Sequence, residues 1–512
     1  MGNAIDISPA PAEGNLAPSP AHRRERAAVR NVTLLLLFRG VIMAGGVTSA
    51  ALVPRTMGPA TYGRYDLITM LTFLFSMMGG IGMGQVTSRQ TPELEAKGAT
   101  DKLHSLFGGF LVMRTLSSTT VAILYLIVTR LWLQDLDWTI LCLLSVAVLL
   151  RGPASLCYSL FLGQGRIGRW ALPEVLRQWG SVVCSLPCYL LGGLRGAVFG
   201  YLITETVIFT LAFVGARRAM VRHALRLNLR EIAPLLRIGV VFWTSELVVS
   251  AFDRSGAVLI RSLTSDYAQV GLFGVSFQIF MAAVLSTLQI SNSFVPIITV
   301  LRSRHEEAEL KRWIQRLAKW LAVLAVLGFF GSVLLGREVI PLVLGRAYEA
   351  VVPNMIALAA AMLLLPLLHV CSLLCLTHDR PGTLLKAALL KLSFFWVLGI
   401  PLVMRWGSLG ACMSVCSAFV VQAGYMVFKN RAEVGPAFVR WGIVIVTGLL
   451  FVPLAWLRSS PAVNITLFLV AAGGFLLILR GLGVVSTREL GAVYHSLVAA
   501  RAARRANGGG AT

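Results

Sequence analysis

The stretch that organises this chain is TMGPATYGRY, residues 56–65, which lies between two long apolar runs. A related stretch, SDYAQVGLF at residues 265–273, also lies between two apolar runs, and its Gly271 follows Gly63 by 208 positions. A short polar loop with a glycine before an aromatic residue is typical of a turn that leads into a helix.

A second pair of related stretches occurs at a similar offset. LFLGQGRIG at residues 160–168 resembles LCLTHDRPG at residues 374–382, and this alignment places Arg166 on Arg380. Two pairs in the same order predict an internal duplication. We therefore expect two similar lobes.

The composition indicates a polytopic membrane protein. Of the 512 residues, 56% are hydrophobic and only 13% are charged, whereas a soluble domain carries about 25% charged residues. The net charge of +23 does not indicate a nucleic-acid partner, because the basic residues lie between apolar runs and form no single basic domain. They are better explained as signals of membrane topology and as contacts with anionic lipid or substrate.

The apolar runs predict an all-α fold with about 14 transmembrane helices, since each crossing needs about 20 apolar residues. Twelve form two pseudo-symmetric six-helix lobes, and two more follow at the C-terminal end. The predicted spans are residues 32–53, 65–88, 105–130, 137–163, 170–191, 195–216, 234–262, 269–300, 314–336, 351–377, 383–404, 408–428, 438–458 and 461–482.

These spans divide the chain into six predicted parts. They are a disordered tail (1–30), the N-lobe (31–216), a basic linker (217–233), the C-lobe (234–430), spans thirteen and fourteen (431–482) and a second tail (483–512). Lysine and arginine concentrate in the segments that are inside when the N-terminus is inside. We therefore expect both termini and the linker to be cytoplasmic. Six spans per lobe relate the lobes by an axis along the membrane normal.

Arginines inside the predicted spans are the candidate binding residues. A charge at the bilayer centre costs roughly 2.5–3.5 kcal/mol, so such residues usually face a protein interior or a wet cavity. Arginine binds phosphate through a planar fork and stays charged, which predicts a cationic cavity. Arg39 and Arg254 are the first candidates, because spans one and seven are equivalent and would face each other; the others are Arg55, Arg151 and Arg261.

Several of these charges have structural alternatives. Arg261 can snorkel to the outer interface, and Arg151 lies beside a Gly-Pro pair that can bend its helix. Glu174 and Arg177 are three residues apart and can neutralise each other. The eight cysteines lie within apolar runs without a ligand cluster, so we expect packing roles, no metal and no cofactor.

Four stretches in their order resemble polysaccharide-biosynthesis flippases of the multidrug/oligosaccharidyl-lipid/polysaccharide exporter superfamily, including the O-antigen type. The resemblance runs over about residues 30–430. It is carried by LVPRTMGPATYGRY (52–65), FDR (252–254) with DYAQVGLF (266–273), GRAYEA (345–350) and WGSLGA (406–411).

This resemblance implies two helical bundles around a central cavity, alternating access, and a polyprenyl-pyrophosphate-linked oligosaccharide as cargo. It also implies a bacterial cytoplasmic (inner) membrane location, with a polysaccharide polymerase and export machinery as possible partners besides membrane lipids.

Two other functions remain as alternatives. A cation-coupled multidrug exporter of the same superfamily would need acidic pocket residues, whereas the charge inside the spans is mainly basic. A membrane glycan polymerase or ligase tends to carry a large outer loop, and the predicted outer loops are short. The sequence also contains no phosphate-cradling glycine-rich loop. We therefore expect a transporter and not an enzyme.

Overall fold

The computed structural model describes residues 20–217, 229–304, 306–377 and 380–484, and these ranges fold almost wholly into helices. The predicted tails and the predicted linker lie largely outside the described residues. The α-helices are α1 Pro20–Met78, α2 Met83–Ala96, α3 Thr100–Trp132, α4 Trp138–Gly163, α5 Ile167–Gly180, α6 Leu186–Ala216, α7 Leu229–Thr264, α8 Tyr267–Asn292, α9 Val295–Ser303, α10 Glu307–Phe330, α11 Gly336–Leu344, α12 Val351–Met362, α13 Leu365–Thr377, α14 Pro381–Lys429, α15 Arg431–Leu449 and α16 Pro461–Gly481.

The first helix begins earlier than the sequence predicted. α1 starts at Pro20, although residues up to 30 were expected to be a disordered tail. The segment from 20 to 30 is rich in alanine and arginine, which are good helix formers. Proline is also well tolerated in a first helical turn. The end of the predicted tail therefore extends the first helix.

Within the described ranges, nine continuous helical stretches are long and apolar enough to cross a membrane, and some of them join two of the helices named above. The pair α12 and α13, bent by 44°, gives a tenth. The prediction of about 14 spans exceeds this number, and it stays a prediction. Part of the difference arises because some long helices contain a break.

Three long helices contain a glycine whose backbone is not helical. These are Gly58 in α1 (φ 73°), Gly193 in α6 (φ 57°) and Gly407 in α14 (φ 55°). Glycine adopts such positive φ values readily because it has no Cβ. Each break lies in or beside a predicted connection between two spans.

The chain turns back on itself after two of these breaks. A Cβ on Gly196 would overlap the carbonyl oxygen of Cys188, eight residues earlier in the chain. In the same way, a Cβ on Gly410 would overlap the carbonyl oxygen of Leu402. The helical segments on either side of each break therefore pack closely against each other.

The two stretches paired by the first sequence repeat contact each other directly. A Cβ on Gly63 of α1 would overlap the carbonyl oxygen of Tyr267, and a Cβ on Gly271 of α8 would overlap that of Pro59. Pro59 and Tyr267 are 208 positions apart, as are Gly63 and Gly271. Such a reciprocal contact is the pattern that a twofold relation between two lobes predicts.

The second pair of related stretches forms the same backbone turn in both places. The N–H of Arg166 donates to the carbonyl oxygen of Phe161 at 2.9 Å, and the N–H of Arg380 donates to that of Cys375 at 2.9 Å. Both arginines immediately precede a helix, α5 and α14 respectively. The local structure therefore repeats together with the sequence.

The largest apolar core extends across both predicted lobes. It includes Leu67 and Val148 from the N-lobe, and Phe252 and Phe280 from the C-lobe. Because these side chains bury against one another, the lobes share a packed interface in this state.

Candidate functional site

Two arginines, one from each predicted lobe, meet at a single aromatic ring. The guanidinium carbons of Arg151 in α4 and Arg254 in α7 lie 4.7 and 5.0 Å from the centre of the Phe73 ring in α1. The ring face of phenylalanine attracts cations. We call Phe73, Arg151 and Arg254 the central cluster.

Arg151 is held by neighbours from its own lobe. Its Nη1 donates to Glu205 Oε1 and to the hydroxyl of Tyr201, both at 3.0 Å. Arg177 Nε also donates to Glu205 Oε1, at 2.9 Å, and the Glu205 side chain is fully buried. The Glu205 carboxylate therefore forms ion pairs with two arginines, and these three side chains together keep a net positive charge.

Arg177 takes Glu205 as its main partner, and not its sequence neighbour Glu174. The Arg177–Glu174 distance is 3.9 Å, and about half of the Glu174 side chain is exposed. The pairing suggested by the spacing of three residues is therefore present but secondary. Both bonds that Arg177 makes to Glu205 anchor α5 to α6.

Arg254 retains free donors. Its Nε is buried and has no hydrogen-bond partner. No carboxylate of a described residue lies within ion-pair distance, although Asp66 and Asp253 act on Arg254 electrostatically from further away. An unpaired buried donor is costly, so this guanidinium is ready to receive an anionic group.

A lysine that the sequence analysis did not single out lies beside the α7 segment that carries Arg254. Lys391 of α14 is buried, and its Nζ lies 3.8 Å from the centre of the Phe252 ring and 4.7 Å from that of Phe419. Asp253, next to Arg254 in the chain, is its electrostatic partner. Two lysines, Lys386 and Lys391, lie within the same predicted span, and this was a signal that could have identified it.

Arg261 connects the two lobes at their predicted outer ends. Its Nη2 lies 2.9 Å from Asp135 Oδ1, and the same oxygen accepts a hydrogen bond from the hydroxyl of Tyr267 at 3.1 Å. Asp135 follows α3 of the N-lobe, whereas Arg261 lies in the last turn of α7 of the C-lobe. Arg261 is thus an ion-pair partner in this state.

Arg55 also reaches the opposite lobe at the predicted outer end. Its Nη1 donates to the carbonyl oxygens of Leu342 and Val343 in α11, at 3.3 and 3.4 Å. Nearby, the buried hydroxyl of Tyr348 donates to the carbonyl oxygen of Pro54 at 2.9 Å. Arg55 and Arg261 therefore lie away from the central cluster, and both hold the lobes together.

The lobes also touch at the predicted inner side. A Cβ on Gly82 would overlap the backbone of Gly239 in α7. Gln85 Nε2 of α2 donates to Glu246 Oε2 at 2.6 Å. With contacts on both sides, the central cluster lies between two points of closure.

Arg39 lies apart from the central cluster. Its side chain is exposed on α1, in a segment that packs against α5: Phe38 contacts Gly168, and Trp179 Nε1 donates to the carbonyl oxygen of Val41 at 3.1 Å. Arg254 has Arg151, not Arg39, as its basic neighbour. The role of Arg39 in binding stays a prediction.

We expect Arg261→Ala to favour opening at the outer side, because it removes the ion pair between the lobes. A partly exposed pair contributes about 1 kcal/mol at most, so the open population should rise by about fivefold. Spin labels at the outer ends of α3 and α7 would measure this by pulsed electron resonance.

The matched control for this variant is Arg195→Ala. Arg195 pairs with Asp137, and both residues belong to the N-lobe, so its loss should not change the distance between the lobes. Equal effects of the two variants would contradict a specific role of the Arg261–Asp135 pair.

Comparison with known proteins identifies one family. The model of a family described as polysaccharide biosynthesis proteins matches residues 52–353. A curated relative is the "Probable low-salt glycan biosynthesis flippase" of Haloferax volcanii, which is 20% identical over 284 residues. The aligned part covers 54% of this chain and 58% of the relative, so the chain spans less than two thirds of it.

Two solved structures of similar fold are a flippase and a transporter. A lipid II flippase, MurJ, in an inward closed conformation superposes with a TM-score of 0.69 and 13% identity, covering 88% of this chain and 99% of that chain. An inward-facing multidrug resistance transporter of the MATE family superposes with a TM-score of 0.65 and 13% identity, covering 80% of this chain and 98% of that chain. The predicted all-α membrane fold is confirmed.

Proposed function

Because this chain belongs to the family of polysaccharide biosynthesis proteins, we propose that it is a flippase for a lipid-linked glycan. Its cargo is an undecaprenyl-pyrophosphate-linked oligosaccharide, which it moves from the cytoplasmic to the outer leaflet of the bacterial cytoplasmic membrane. The observation that carries this proposal is Arg254, a half-buried cation at the contact between the two lobes that has unused donors, including a buried Nε.

The central cluster suits the pyrophosphate group of such a cargo. A pyrophosphate cannot cross hydrocarbon unaided, because its charge would lose its hydration. Charge-assisted hydrogen bonds from guanidinium groups can replace that hydration. Arg254 supplies unpaired donors, and Arg151 adds positive charge while Glu205 and Tyr201 fix its position.

In this proposal, the lobes separate first at the inner contact and then at the outer contact. Release of the Gly82–Gly239 contact admits the head group from the cytoplasmic side, and release of the Gly63–Gly271 contact lets it leave on the outer side. Rocking of one lobe against the other around a fixed site is the usual mechanism in transporters built from repeats.

A multidrug exporter is the second candidate, because a transporter of that kind shares the fold. A cationic drug would need a carboxylate available in the cavity. Glu205 is bound by two arginines, Asp253 interacts with Lys391, and Asp66 interacts electrostatically with Arg254. The charge around Phe73 therefore favours an anionic cargo.

The test is a transport assay with purified protein in liposomes. Undecaprenyl-pyrophosphate carrying a short fluorescent oligosaccharide should move between leaflets faster in protein-containing vesicles, as measured by quenching with a membrane-impermeant reductant. A lipophilic cationic dye should not move faster. Movement of the dye without movement of the lipid would support the exporter instead.

We also propose that both termini and the linker at 217–233 are cytoplasmic. A cysteine introduced at Arg217 should remain unlabelled when intact cells receive a membrane-impermeant maleimide. A cysteine at Ser459, between α15 and α16, should be labelled, and the unsubstituted chain measures the background of its eight native cysteines. Strong labelling at position 217 would reverse the topology.

Polysaccharide polymerase and export machinery would act after this step, on glycan that has reached the outer leaflet. These partners are part of the proposal because the product is a substrate for extension or export at that surface.

A further inference from the structure

A second basic site lies in the N-lobe, away from the central cluster. It is a cavity of about 510 Å³ where the start of α3, the end of α4, the start of α5 and the end of α6 meet. The predicted topology places all four helix ends on the cytoplasmic side. Its main lining residues are His104, Phe161, Arg166, Arg169, Val214 and Arg217.

The cavity is basic on one side and apolar on the other. Three arginines line it without any aspartate or glutamate, and its exposed apolar surface comes mainly from Val214, since Leu160 and Phe161 are each only 1% exposed. A nearby carboxylate, that of Glu95, accepts a hydrogen bond from Gln164 at 3.1 Å. Among the described residues, none forms an ion pair with these arginines.

The backbone holds two of the arginines in place. Gly165 has a φ of 68°, which lets the chain turn sharply from α4 into α5. The carbonyl oxygen of Arg166 then accepts hydrogen bonds from the N–H groups of Arg169 and Trp170, at 3.0 and 3.1 Å. Arg166 and Arg169 therefore start the same helix beside the cavity.

We propose that this cavity binds the phosphate headgroup of a membrane lipid. Guanidinium forks match phosphate geometry, and the apolar surface can cover the first carbons of the lipid. The volume lies within the range of about 300–1,000 Å³ that is common for ligand pockets. Anionic lipids are also available at the cytoplasmic surface.

The ligand chemistry has two possible sources: an anionic phospholipid or a polyprenyl phosphate. In either case the site lies within one lobe, at the turn that contains the second sequence repeat. It is separate from the central cluster, so binding there does not depend on the proposed transport function.

Native mass spectrometry of the purified full chain in detergent tests the site. The probes are phosphatidylglycerol, undecaprenyl phosphate and, as a zwitterionic comparison, phosphatidylcholine. We expect at least one of the two anionic lipids to be retained about tenfold more than phosphatidylcholine. The Arg166→Gln/Arg169→Gln double variant should lose that preference, and Arg217→Gln should reduce it.

Arg380→Gln is the matched control, because Arg380 occupies the same backbone turn in the C-lobe but does not line this cavity. Its lipid retention should be unchanged. A preference for phosphatidylglycerol identifies a phospholipid site, and a preference for undecaprenyl phosphate identifies a carrier-lipid site. Equal retention of all three lipids, or an unchanged preference in both the double variant and Arg217→Gln, would overturn the proposal.

Discussion

Replacement of Arg254 by alanine should reduce transport of the lipid-linked glycan at least about tenfold. The Arg254 side chain is the half-buried cation of the central cluster, and its buried Nε has no hydrogen-bond partner. A hydrogen bond to a charged group contributes about 1.5–3 kcal/mol, which corresponds to roughly a tenfold to a hundredfold change. Surface glycan in cells and lipid movement in liposomes are the two measurements.

Three further variants separate the causes of such a loss. Arg254→Lys keeps the charge but lacks the fork, so partial activity would indicate that bidentate geometry matters. Arg405→Ala removes an exposed arginine and should leave transport intact. Arg39→Ala tests whether Arg39, which lies apart from the central cluster, also binds the cargo. Normal transport by Arg254→Ala, at normal abundance in the membrane, would refute the cationic-site mechanism.

Gly63→Leu should prevent closure at the outer side and abolish transport. Even a Cβ at this position would overlap the carbonyl oxygen of Tyr267, and the nearest atoms belong to the backbone. A backbone cannot move aside as a flexible side chain can, so the lobes must separate. Overpacking typically costs about 1–3 kcal/mol. Here it destabilises the conformation that is closed at the outer side more than the one that is open there.

The distance between spin labels on the outer ends of α3 and α7 should therefore increase in Gly63→Leu. Gly424→Leu is the matched control, since Gly424 is an exposed helical glycine with open space around it. A variant at Gly63 with the wild-type distance distribution and normal transport would show that this contact is not a point of closure.

The features that the sequence predicted are local ones. Apolar runs located the helices, and the glycines at 58, 193 and 407 fell at the predicted connections. The repeat predicted that Gly63 and Gly271 are equivalent. All of these features depend on short segments, in which the residue types themselves restrict the backbone conformation.

The contacts of individual charges were beyond prediction, because they join distant parts of the chain. Arg151 met Glu205 and Tyr201 across 50 or more positions, and Arg261 met Asp135 across 126. Hydrophobic periodicity gives no information about which helices are neighbours. For this reason the sequence could identify arginines within the predicted spans but could not separate the unpaired Arg254 from the paired Arg151 and Arg261.

The reciprocal contact between the lobes is also the geometry of a symmetric dimer whose two subunits have been joined. In a true dimer every substitution appears twice, so a carboxylate at the axis would face a second carboxylate. Here Asp66 corresponds to Gly274, 208 positions later, and a Cβ on Gly274 would contact the Asp66 carboxylate. A single chain can place one acid beside the axis and leave the matching position empty. Fusion has thus made room for a single Asp66 carboxylate, which interacts electrostatically with Arg254.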